Sequence, residues 1–75
     1  MKHITLLFTQ VLSGIFQQGL ISPNKRNLLL QEWKRGCTTN DYEKLKNILL
    51  EIKAVTGNKQ WQMELGEALE ELMTI

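Results

Sequence analysis

The chain has one cysteine, one histidine and one proline, and each scarcity removes a class of explanation. Cys37 has no second cysteine, so no intrachain disulfide braces the fold. Cys37 and His3 are the only soft metal ligands, and a structural zinc site takes four. A lone cysteine in a leucine-rich chain suits a reducing, cytoplasmic setting. Long hydrophobic runs are missing as well. A membrane span needs about 20 mostly apolar residues, and the stretch after His3 is broken by Thr5, Thr9, Gln10 and Ser13 and ends at Gln17-Gln18. The same interruptions, with no small-x-small cleavage site behind them, argue against a secretory signal. No apolar–polar alternation of useful length appears, which argues against strands.

Charge is missing from residues 3 to 24, counting His3 as neutral. A helix lying on a membrane surface normally carries Lys or Arg on its polar face, and this segment offers Thr, Ser and Gln. Elsewhere charge is segregated. Residues 25 to 53 hold Lys25, Arg26, Lys34, Arg35, Lys44, Lys46 and Lys53 against Glu32, Asp41, Glu43 and Glu51, seven against four, a net of +3. Residues 54 to 75 hold Lys59 against Glu64, Glu67, Glu70 and Glu71, a net of −3. The total of +1 supplies no global field toward nucleic acid or membrane.

What is present is helical grammar. The chain is 75 residues long, 43% hydrophobic and 23% charged, the composition of one folded domain, residues 1–75. A domain this short buries only about 60–65% of its unfolded surface, so regular helix packing or self-association must stabilise it. The periodicity predicts an all-α bundle of four short helices, about 3–18, 23–35, 39–55 and 59–73. Ile4, Leu7, Phe8, Val11, Leu12 and Ile15 form the stripe of the first, with Leu6 and Phe16 outside it, an apolar surface wide enough for more than one neighbour. Ser22-Pro23 opens the second helix as cap and first residue. Gln18-Gly19-Leu20-Ile21-Ser22 is echoed by Arg35-Gly36-Cys37-Thr38-Thr39. In each, glycine is expected to stop a helix in the left-handed conformation and a hydroxyl residue to cap the next. Such marks belong to any set of short capped helices and need no internal duplication. The expected core is Leu7, Phe8, Val11, Ile15, Leu29, Trp33, Leu45, Leu49, Ile52, Trp61, Leu65 and Leu72.

The run Lys34–Lys46, KRGCTTNDYEKLK, resembles the turn of short bacterial SHOCT-type oligomerisation modules. There too a helix ends in a basic residue and glycine, and Thr, an acid and an aromatic start the next. The resemblance covers that run alone, its residues are those of any capped helix, and it implies no family membership.

Groups that do chemistry are sparse, and the expectation is a protein that is not an enzyme, with no cofactor and no metal site. His3 lies at a chain end where a base is poorly held, and Cys37 is expected to be a buried, inert cysteine in the inter-helix turn. The glutamates of the last helix lack the Glu-x-x-His spacing of carboxylate metal sites. The pattern points to a small cytoplasmic adaptor or regulatory protein that binds protein and self-associates as a homodimer or another homo-oligomer. Its candidate contact residues are Phe16, Lys25, Arg26, Trp33, Lys34, Arg35, Glu64, Glu67 and Glu71. The acidic fourth helix is expected against the basic middle of its own chain or of a second copy. The alternative is a helix-turn-helix DNA-binding regulator using residues 24–52. Near-neutrality, Glu32 where that motif keeps a small residue, and acids opening the reading helix weigh against nucleic acid.

Overall fold

A computed structural model describes residues 1–74 of the chain. They form four helices: α1 Lys2–Gln17, α2 Pro23–Thr39, α3 Tyr42–Val55 and α4 Lys59–Met73. No strand occurs among the described residues.

Each boundary has a local cause. α1 ends at Gln18, and Gly19 takes φ +75°. The N–H of Gly19 donates to the Phe16 carbonyl at 3.0 Å and that of Leu20 to Ile15 at 2.9 Å, the double closure of a Schellman motif. Ser22 Oγ accepts the Lys25 N–H at 3.1 Å, and Pro23 opens α2 where its missing N–H is no loss. Asn58 Oδ1 accepts the Trp61 N–H at 3.1 Å and starts α4. Between α3 and α4, buried Thr56 accepts the Asn58 N–H on its hydroxyl and the Gln62 side-chain amide on its carbonyl.

The turn between α2 and α3 differs from expectation. α2 does not stop at Arg35 but continues one turn further, to Thr39. Gly36 lies inside the helix, buried because Leu45 of α3 packs on it; a Cβ there would lie 2.7 Å from Leu45 Cδ2. The left-handed residue is Asn40, φ 55°. Its N–H reaches the Cys37 carbonyl and that of Asp41 the Gly36 carbonyl, so asparagine closes the helix where glycine was expected. Thr38 and Thr39 cap nothing: their hydroxyls donate back to the Lys34 and Arg35 carbonyls at 2.9 Å each, the in-helix pattern of these residues. α3 therefore opens at Tyr42, not residue 39, with Asp41 accepting the Lys44 N–H at 3.1 Å. The second copy of the glycine mark is a packing site, and the turn expected from the SHOCT-type resemblance falls four residues later.

Successive helices run in opposite directions. Trp33 lies against Thr5 and Phe8 while Arg26 lies against Phe16, which sets α1 and α2 antiparallel. Lys25–Glu51 and Glu32–Lys44 do the same for α2 and α3. His3–Glu71 and Gly14–Trp61 set α4 antiparallel to α1. α1 and α3 each pack against every other helix, whereas α2 and α4 do not pack against each other. The cross-section is thus a rhombus with α1 and α3 on its short diagonal.

The core on that diagonal holds Ile4, Phe8, Val11, Leu12, Ile15, Leu29, Trp33, Leu45, Ile48, Leu49, Ile52, Leu65, Ala68, Leu69 and Leu72. Two residues expected there, Leu7 and Trp61, are half-buried at its edge. Phe8 and Trp33 stack with centroids 4.3 Å apart and planes 8° from parallel, and the indole N–H donates to Thr5 Oγ1 at 3.1 Å. Burying the indole therefore leaves no donor unpaired.

Candidate protein-docking surface

α4 turns Leu65, Ala68, Leu69 and Leu72 inward. The 3.6-residue period then places Glu64, Glu67 and Glu71 along one shoulder of that face, beside α1. Across from them α1 presents His3, Leu6, Leu7 and Gln10, and the two helices border an open groove of about 350 Å³ with Ile4 and Ala68 in its floor. Leu6 is 65% exposed in it, which explains why it fell outside the core stripe of α1. One internal cation candidate meets this rim: His3 Nε2 lies 2.9 Å from both carboxylate oxygens of Glu71. Glu64 and Glu67 have no cationic partner within 4 Å among the described residues.

A second groove, of about 440 Å³, lies between α2 and α3, with Leu28, Leu29 and Ile48 among its lining residues. Lys25 and Lys44 line it together with Glu32, Asp41, Glu43 and Glu51, and both lysines are paired within the chain. Lys25 Nζ pairs with Glu51 at 2.7 Å and Lys44 Nζ with Glu32 at 2.5 Å. The Lys44 hydrogen bond and charge, with Arg35 3.9 Å away, hold the Glu32 carboxyl below its ordinary range against a smaller opposing desolvation. These pairs and the Gly36–Leu45 contact run the length of α2 and α3, an αα-hairpin laid side by side.

The expected contact residues are divided among different roles. Glu64, Glu67 and Glu71 come together on the α1–α4 groove. Lys34 and Arg35 come together on the last turns of α2 with Gln31, Thr38 and Thr39 around a shallow depression. Lys25 belongs to the α2–α3 pairing. Phe16 is half-buried under the Arg26 guanidinium, 4.7 Å above its ring, a cation–π contact within one chain. Arg26 Nε is buried there without a hydrogen-bond partner. Trp33 is 3% exposed, so it serves the core and is closed to a partner. The acidic helix lies against α3, the second half of the basic middle segment, and not against α2, which occupies the opposite corner of the rhombus.

Leu6, Leu7, Gln10 and His3 complete the groove and were not among the expected contact residues. The available signal was Leu6 itself, a leucine off the core stripe in an uncharged helix. Cys37 is half-buried within α2, not beyond its end. Among the described residues, no three His, Cys, Asp or Glu side chains converge as a metal site, and no helix is long and apolar enough to cross a membrane. Comparisons with family models, with curated proteins and with solved structures return no match.

Proposed function

We propose that this chain is a small cytoplasmic adaptor or regulatory protein that acts by binding protein, including further copies of itself. The observation that carries the reading is the α1–α4 groove: an apolar floor with Leu6 exposed, bordered by Glu64 and Glu67, which have no cationic partner within 4 Å among the described residues. Apolar clefts with a charged rim fit an amphipathic helix, whose apolar positions enter the cleft while its cations meet the rim. Complementary charge at such a rim speeds association and makes it salt-sensitive.

The test is covalent capture with the groove as the variable. A photocrosslinker at Leu6 should trap a discrete protein in the source cell, and Glu64→Lys with Glu67→Lys should abolish the product without altering helicity. An unchanged crosslinking pattern in that variant, or no product at all, would remove the support for the reading.

The DNA-reading alternative finds less support in the geometry. Its reading helix would be α3, which packs against all three other helices. The stripe α3 leaves exposed is Glu43, Asn47, Leu50, Glu51 and Ala54, a poor match to phosphates. Helix-turn-helix pairs also cross at about 90–120°, unlike the side-by-side α2–α3 hairpin. Titration with duplex DNA at low and moderate salt separates the readings, since strong salt-dependent binding would favour the alternative.

A further inference from the structure

The fold holds two opposite charges apart at its far corners. α2 carries Lys25, Arg26, Lys34 and Arg35 against Glu32, four minus one, or +3. α4 carries Glu64, Glu67, Glu70 and Glu71 against Lys59, a net of −3. Because α1 and α3 fill the short diagonal, these helices cannot neutralise each other within one molecule.

We infer that the occupant of the α1–α4 groove is the α2 flank of a second copy of this chain, giving a head-to-tail contact. This inference rests on the protein-binding reading and names the partner surface. Leu30 and Lys34 stand four residues apart on α2 and so share a face, next to Gln31 and Arg35. Leu30 is 37% exposed, the Arg35 side chain is 69% exposed, and Lys34 has no acidic partner within 4 Å among the described residues. Laid along the groove, this face sets Leu30 toward Leu6 and its two cations toward Glu64 and Glu67. A symmetric dimer through the groove is disfavoured, because an isologous contact sets the same patch on itself and would place carboxylates against carboxylates. The groove and the α2 flank are different surfaces, so the contact is heterologous and each added molecule presents both surfaces again. Exposed ion pairs are individually weak and screened by salt, so the assembly forms at high protein concentration and low ionic strength.

Sedimentation velocity across a concentration series tests this with the intact chain. At low salt the mean mass should climb with concentration beyond that of a dimer. At about 1 M salt, where the Debye length is about 3 Å, it should return to the 8.7 kDa monomer. Two variants isolate the surfaces: Lys34→Ala with Arg35→Ala leaves only the groove, and Glu64→Gln with Glu67→Gln leaves only the α2 flank. Each alone should be monomeric with unchanged helicity, and their equimolar mixture should form a dimer and nothing larger. A wild-type protein that is monomeric throughout, variants that still assemble, or a mixture that stays monomeric would each overturn the head-to-tail contact. Crosslinking to a different protein through Leu6 in any of those cases would leave the protein-binding reading standing, so the two failures are distinguishable.

Discussion

The Trp61 ring of α4 occupies the space where a side chain at Gly14 of α1 would begin: a Cβ there would lie 2.1 Å from Cη2 and 2.6 Å from Cζ3. The missing side chain lets the ring cover the α1 backbone at the end of the bundle opposite His3 and Glu71. Gly14→Ala should therefore destabilise the protein by up to about 2 kcal/mol, an overpacking cost of about 1–3 kcal/mol offset by about 1 kcal/mol of helix propensity. The displaced ring should shift tryptophan emission to the red. In a Trp61→Ala background the same substitution should become neutral or stabilising, because only the propensity gain remains. Urea titrations of the four proteins measure this, and an equal effect in both backgrounds would refute the contact.

Asn40 and Gly36 make opposite predictions about the same turn. Asn40→Gly should preserve or raise stability, since the left-handed conformation costs glycine nothing, whereas Asn40→Ala should cost about 1 kcal/mol. Gly36→Ala should destabilise by steric conflict with Leu45, and shortening the partner by Leu45→Val should recover part of that loss in a double-mutant cycle. Gly19→Ala has no such rescue, because nothing lies within 4 Å of the added methyl group and its cost is backbone strain. Thermal unfolding of the series reports these signs.

Glu32 links stability to pH. Its folded carboxyl is held below the ordinary value of 4.5 by Lys44 first and Arg35 last. A lowered folded value means that the unfolded chain takes up protons first as pH falls. The contribution of the pair is thus complete above the ordinary carboxylate range and is lost as pH falls through the lower folded value. Wild-type stability should decline more steeply than that of Glu32→Gln below about pH 4.5, with the two profiles converging in stronger acid. Parallel profiles would show that the pair contributes nothing.

Much of this architecture is legible in the order of residues. Ser22-Pro23, Gly19 and the Thr56–Asn58 break act through their own backbone and nearest neighbours, and they appear where local rules put them. α4 spans the expected residues 59–73. Gly36 misled because a glycine beside a basic pair has the appearance of a helix stop, and its actual cause is Leu45, a contact made only once α2 and α3 fold together. Trp33 shows the same limit: a tryptophan on a stripe suits core and interface alike, and the stack on Phe8 decides for the core. The acidic shoulder could be read from Glu64, Glu67 and Glu71 alone. That Leu6 and Leu7 stand opposite it depends on the α1–α4 pairing, which no local pattern encodes.

The rhombic arrangement also bears on how the chain is made. α1 is synthesised before all three helices that cover it, and two of them, α3 and α4, follow only after α2. The pair His3–Glu71 joins positions 68 residues apart, so α1 depends on some of the most distant contacts in the chain. The α2–α3 and α3–α4 hairpins can form as they emerge, since neighbouring segments close fastest. Until α3 and α4 follow, only α2 can cover the apolar α1 stripe, and this interval exposes the chain to misassembly.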